Sequence, residues 1–224
     1  MTVASFTYDF FDRIKPFTDS EGWTVTYAYD AANRVTEIAF PDGTTDRYTY
    51  DKLDLASYTD RLGRIWTYTY DAARRLTEIT DPAGHQTILG YNPDGELTSF
   101  TDPKENTTKW AYDIEDRLTQ KTYPDNSTAT CSYESTTSRL HAVLDALGQT
   151  KECSYTEDNQ LSGITYLGAV NSGPAVSFAY DPYFPRLVSM TDGTGTTSWS
   201  YVPVGVLGAL ALAKEAGPLP NSAI

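Results

Sequence analysis

Carboxylates are the side chains with the greatest potential for chemistry, because the chain has 30 Asp and Glu residues and only two histidines. Two suitably spaced carboxylates can act as general acid and base in hydrolysis. Most of these residues fall in short polar turns, however, where Asp caps the backbone. Neither His85 nor His141 has a Ser, Cys or second His at a catalytic or metal-binding spacing. The sequence therefore predicts that the protein is not an enzyme, with no catalytic, cofactor-binding or metal-binding residues and no cofactor.

Aromatic side chains are the second candidate for binding chemistry. The chain has 17 Tyr, 8 Phe and 4 Trp residues, which could form a stacking platform for carbohydrate. Alternatively, columns of rings hold successive strands together, with each ring pair contributing ~0.5–1.5 kcal/mol beyond burial. Regular spacing favours packing, because a binding site need not recur in every unit. Carbohydrate binding stays open as the alternative function.

The spacing of the tyrosines shows how the chain is organised. Ten of them recur at intervals of 20 to 25 residues, which is the signature of a repeat array. Six of the ten tyrosines are followed directly by Asp. An aliphatic residue comes about six positions after the tyrosine, and an aromatic or apolar residue stands two positions before most of the tyrosines. Gly or Asn, which accept positive φ, comes about fourteen positions later. The ten are Tyr8, Tyr29, Tyr50, Tyr70, Tyr91, Tyr112, Tyr133, Tyr155, Tyr180 and Tyr201.

Each repeat is predicted to contain two strands and two tight turns. Residues 66–70, Trp-Thr-Tyr-Thr-Tyr, alternate in the manner of a strand with one lined face, and residues 76–80 form a second strand. Polar turns follow at 71–74, where Asp comes first, and at 81–84, where Pro and Gly suit a turn. The prediction is an all-β fold, an antiparallel β-hairpin repeat array from residue 5 to 201. Turns are predicted near residues 30–34, 41–44, 71–74, 81–84, 102–106 and 123–127.

The motif from Tyr70 to Gly84 resembles the YD repeat of the Rhs family, and so do residues 29–43 and 112–119. The resemblance covers residues 7–201. It implies a spiralling, curled β-sheet that forms part of an Rhs-type hollow shell, and a secreted or cell-surface location. In polymorphic toxins of the family, that shell encapsulates a toxic C-terminal domain. The implied function is a non-enzymatic structural segment whose partners are the flanking parts of its parent protein and an encapsulated polypeptide.

Two regions depart from the repeat. Residues 167–175 are predicted to be an inserted loop of small residues, and residues 183–185 widen a turn; both are candidate partner contacts. Residues 202–224 are predicted to be an irregular C-terminal segment, truncated before the next repeat. Because no toxin domain follows the repeats, we expect an internal piece of a longer protein or a truncated copy.

Charge and hydropathy bear on the partners. The formal net charge of −13 disfavours nucleic acid and anionic membranes. Residues 1–7 lack the features of a signal peptide, and the apolar run at 204–213 is too short to span a bilayer. No nucleic-acid binding and no membrane insertion are therefore predicted. Ten units should leave an open arc with unpaired edge strands, so the isolated chain is expected to self-associate.

The two cysteines test the architecture. Cys131 and Cys153 occupy the same column of adjacent repeats. If each repeat contributes two antiparallel strands, their Cα atoms lie ~9.6 Å apart, because neighbouring strands are ~4.8 Å apart. A disulfide requires a Cα separation of roughly 4.4–6.8 Å. Free thiols are therefore predicted.

Overall fold

The computed structural model describes residues 4–168 and 173–218, and every regular element in these ranges is a β-strand. The predicted all-β fold is confirmed. The strands are β1 (Ala4–Tyr8), β2 (Ile14–Asp19), β3 (Thr24–Tyr29), β4 (Val35–Ala39), β5 (Thr45–Asp51), β6 (Asp54–Thr59), β7 (Ile65–Tyr70), β8 (Leu76–Thr80), β9 (Gln86–Tyr91), β10 (Leu97–Thr101), β11 (Thr107–Tyr112), β12 (Leu118–Thr122), β13 (Thr128–Tyr133), β14 (Leu140–Leu144), β15 (Thr150–Tyr155), β16 (Leu161–Leu167), β17 (Val176–Tyr180), β18 (Leu187–Asp192), β19 (Gly195–Tyr201) and β20 (Leu212–Ala216).

The chain divides into two compact units, Met1–Lys109 and Trp110–Ile224. In the first unit, each strand from β1 to β10 pairs antiparallel with the next, and β10 pairs with the first residues of β11. In the second unit, β12 to β20 pair in the same way. The predicted antiparallel hairpin array is therefore confirmed, with two strands per repeat. The curl of the sheet stays a prediction.

Two kinds of turn alternate, and all six predicted turns lie between strands. After β7, the N–H of Asp71 donates to the carbonyl of Arg75 at 3.0 Å, and that of Arg74 donates to the carbonyl of Asp71 at 2.9 Å. Arg74 then has a φ of 64°. After β8, the N–H of Gly84 donates to the carbonyl of Asp81 at 2.9 Å, with a φ of 86° at Gly84. These left-handed residues reverse the chain tightly enough for neighbouring strands to pair.

Each unit has one apolar face and one polar face. In β7, Trp66 and Tyr68 are half-buried, while Thr67 and Thr69 on the opposite face are exposed. No apolar side chain among the described residues is fully buried, and the most buried polar one is Asp60, at 9% exposure. Apolar side chains of the strands therefore pack along the face against neighbouring strands and keep part of their surface exposed.

The cysteines agree with the hairpin architecture. Cys131 lies on β13 opposite Val143 of β14, and Val143 faces Lys151 of β15, the strand that carries Cys153. One whole strand separates the two cysteines, and both are free thiols, as predicted. Burial raises the pKa of the Cys131 thiol.

The two regions that depart from the repeat are only partly described. Residues 169–172 of the expected insertion at 167–175 lie outside the described residues. Within the C-terminal segment that was expected to be irregular, Leu212–Ala216 forms β20, which pairs antiparallel with β19. That strand was not predicted, because the segment lacks the repeat motif.

Candidate functional site

The Asp that follows the repeat tyrosine organises its own turn. Asp71 accepts hydrogen bonds at Oδ1 from the backbone N–H of Ala73 at 2.9 Å and of Arg75 at 3.0 Å. Its Oδ2 accepts from Nε of Arg75 at 2.7 Å. The hydrogen bond from the Arg75 backbone, followed by that from its side chain, lowers the pKa of Asp71. The carboxylate is therefore engaged by its own turn and is not available as an acid or base.

The arginine of this turn also reaches the next repeat. The Arg75 guanidinium lies over the ring of Tyr91, 4.9 Å from its centroid, and its Nη1 donates to the carbonyl of Asn92 at 2.7 Å. We call this set of a turn carboxylate, its arginine and the next repeat's tyrosine a clasp. Clasps recur with guanidinium-to-ring distances of 4.1 to 4.9 Å at Arg13/Tyr29, Arg34/Tyr50, Arg75/Tyr91, Arg117/Tyr133, Arg139/Tyr155 and Arg186/Tyr201.

The repeat tyrosine closes the connection with its hydroxyl group. Tyr133 OH donates to the carbonyl of Leu118 in the preceding hairpin at 2.8 Å, while Arg117 covers its ring. One side chain thus holds the preceding hairpin by a hydrogen bond and receives a cation on its face. The same hydroxyl-to-carbonyl bond is found at Tyr29/Ile14, Tyr50/Val35, Tyr155/Leu140, Tyr180/Leu161 and Tyr201/Leu187.

The aromatic column pairs with itself across strands. Tyr48 stacks on Tyr58 with ring centroids 5.2 Å apart, and Tyr58 stacks on Trp66 at 5.4 Å, both at an interplanar angle of 28°. Rings that stack on each other cover one another's faces, which a sugar would need for its own stacking contact. This geometry supports packing as the role of the column.

The two histidines occupy different positions in the repeat, one in a turn and one in a strand. His85 occupies the last position of the turn that begins at Asp81, and its Nδ1 lies 2.9 Å from Asp81 Oδ2. That is the position arginine takes relative to Asp71 in the preceding turn, so His85 caps the turn. His141 is exposed on β14.

The described residues contain no apolar helix of membrane-spanning length.

The sequence identified the tyrosine and aspartate columns but missed the arginine. The signal was present, since Arg follows Asp by four residues at Arg13, Arg34, Arg75 and Arg117. Its significance lies in contacts between repeats, which periodicity alone does not reveal.

Comparison with known proteins supports the repeat organisation of the chain. The family model described as RHS Repeat matches residues 8–45, 29–55, 50–86 and 91–128, together just over half of the chain. Comparison with curated proteins finds no match.

Solved structures share the fold. The crystal structure of TcdB2-TccC3-TEV matches with a TM-score of 0.66 and 14% identity, covering 88% of this chain and 12% of that chain. TcdB2-TccC3-Cdc42 matches with a TM-score of 0.61 and 14% identity, covering 95% and 13%. TcdB2-TccC3 without its hypervariable C-terminal region matches with a TM-score of 0.60 and 14% identity, covering 88% and 12%. The chain thus spans about an eighth of the length of these proteins.

Proposed function

Because the chain belongs to the RHS repeat family, we propose that it is a non-enzymatic structural segment of an Rhs-type β-shell. On this proposal, the shell encloses or displays another polypeptide, such as a C-terminal toxin. The observation that carries the proposal is the clasp, which recurs in both units and joins hairpin to hairpin. A carboxylate of this kind, such as Asp71, is hydrogen-bonded to its own turn and to the arginine that reaches the next hairpin.

The half-exposed apolar face supports an enclosing or displaying role. Its side chains are covered on one side by neighbouring strands and are open on the other. Extended apolar faces of this kind usually mark a surface that contacts another polypeptide. The partners we propose are therefore the flanking parts of the parent protein and the enclosed polypeptide, in a secreted or cell-surface setting.

Limited proteolysis of the full product of the encoding gene tests this function. In the parent protein, the enclosed polypeptide should resist protease. Replacing Arg75 and Arg117 by Ala removes one clasp from each unit and should speed its digestion. Arg47→Ala is the matched control, because Arg47 pairs with Glu37 on the exposed face and its side chain is 62% exposed. Equal digestion of the polypeptide with and without the repeats would refute the enclosing function.

Carbohydrate binding is the alternative that the stacked rings disfavour. Trp23 offers the best test, since it is 55% exposed. If the chain binds glycans through this ring, a glycan array will show binding that Trp23→Ala removes. If the function is structural, neither protein will show specific binding.

A further inference from the structure

Among the turns that follow a repeat aspartate, one lacks the clasp arginine; the turns that begin at Asn92 and Thr156 also lack it, with Glu96 and Gln160 in its place. Strand β5 ends at Asp51 and β6 begins at Asp54, so only Lys52 and Leu53 form the turn, with a φ of 53° at Lys52. Asp9, Asp30, Asp71 and Asp113 are each separated from the aliphatic residue by four residues, and Asp181 by five, but here there are only three before Leu55. The residue that immediately precedes the aliphatic position is therefore a carboxylate, Asp54, where the preceding repeat has an arginine.

The missing arginine leaves a gap in the chain of clasps. The short turn still receives the preceding clasp, since Nη1 of Arg34 donates to the carbonyl of Lys52 at 2.6 Å. The short turn has no arginine that could form a clasp with the next repeat: within residues 4–168 and 173–218, no arginine lies over the ring of Tyr70. A cavity of about 440 Å³ is found here instead, lined by Asp51, Asp54 and Tyr70 among others. We call this the Tyr70 slot.

The slot carries the charge that the arginine would neutralise. Asp51 and Asp54 face each other in register across the hairpin. Nη2 of Arg74 pairs with Asp54 at 2.7 Å, and its side chain is 53% exposed. The exposed carboxylate of Asp51 makes no side-chain hydrogen bond in the described part of the chain. Asp54 and Tyr70 line the same cavity, and burial, followed by the charge of Asp54, raises the pKa of Tyr70.

We propose that the Tyr70 slot receives an arginine side chain from another polypeptide. Its guanidinium would lie on the Tyr70 ring and pair with Asp51, as Arg34 lies on Tyr50 at 4.1 Å and pairs with Asp30. Repeats of the same chain thus show the ligand geometry that this repeat lacks. A planar guanidinium suits the slot better than an ammonium, because it can stack on the ring and bond a carboxylate at once.

Titration of the full chain with N-acetyl-arginine methylamide tests the proposal. With ring-labelled tyrosine, the NMR signal of Tyr70, assigned with Tyr70→Phe, should shift saturably. The Tyr91 signal should stay in place, because Arg75 already covers that ring. The neutral citrulline analogue should bind about tenfold more weakly, since it lacks the charge that cation–π and ion-pair contacts require.

Two variants complete the test. Asp51→Asn should weaken binding of the arginine probe about threefold or more, because a charge-assisted contact is lost. Inserting one Asn before position 54 together with Asp54→Arg rebuilds the normal turn and should abolish binding by filling the slot from within. The melting temperature of each variant, followed by circular dichroism, establishes that it folds. Equal binding of both probes, an equal shift of Tyr91, or unchanged affinity in a folded variant would overturn the proposal.

Discussion

Tyr133→Phe isolates the contribution of the tyrosine hydroxyl to the array. The substitution keeps the ring and its contact with Arg117 but removes the hydrogen bond to the Leu118 carbonyl, 2.8 Å in length. That carbonyl then loses its side-chain partner on a part-buried surface. A hydrogen bond of this kind contributes about 1 kcal/mol to the free energy of unfolding, so the variant should lose about that much.

Tyr133→Leu extends the measurement to the ring. It removes the hydroxyl and the aromatic face on which the Arg117 guanidinium lies, 4.5 Å from the ring centroid. The cation–π contact should add about 0.5–1 kcal/mol to the loss, because the site is only part-buried. The two variants together divide the clasp into its hydroxyl and ring contributions.

Urea denaturation followed by circular dichroism measures both losses. Tyr166→Phe is the matched control in the same unit, because Tyr166 lies 38% exposed on β16 and its hydroxyl makes no hydrogen bond among the described residues. It should change the free energy of unfolding very little. If Tyr133→Phe is no less stable than Tyr166→Phe, the hydroxyl does not hold the hairpins together and our account of the repeat is wrong.

Four further predictions concern pH, turn geometry, the thiols and association. The pKa of Asp71 is lowered from its ordinary value of 3.8, so the unfolded chain binds the proton of this carboxyl more tightly than the folded chain does. The stability that the ionised carboxylate contributes above that value should be lost as the pH falls through the folded pKa. Urea midpoints measured downwards from pH 5 should therefore fall less steeply in Asp71→Asn than in the unchanged protein. Gly43 has a φ of 82°, and a β-carbon added there would meet nothing within 4 Å. Gly43→Ala should therefore lower the free energy of unfolding, measured by urea denaturation, by about 1 kcal/mol through backbone strain alone. Equal stability of the two proteins would contradict this. Cys131 and Cys153 should stay unbridged under mild oxidant, and mass spectrometry that detects an intramolecular disulfide would contradict the two-strand repeat. The half-exposed apolar face should make the isolated chain associate, which light scattering over a concentration series will detect; a monomer at every concentration would count against it.

The hairpin array could be predicted because its causes are local. The alternation in residues 66–70 specifies a strand with two different faces, and Gly84 supplies the left-handed residue of the following turn. Each strand pairs with the one that follows it in the chain, so the strand order follows from the sequence order. β20 escaped prediction for the opposite reason: residues 212–216 lack the repeat motif, and they form a strand by pairing with β19.

The sequence by itself determined the repeat, its two strands and turns, and the separation of Cys131 from Cys153 by a whole strand, because strand alternation and turn chemistry act over a few residues. Only the tertiary structure decided which side chains join the repeats. Arg75 meets Asn92, 17 residues further on, because neighbouring hairpins place successive turns side by side. The Tyr70 slot has the same origin: Asp54 stands in the position of the clasp arginine in one hairpin, and the tyrosine ring beside the cavity belongs to the next hairpin.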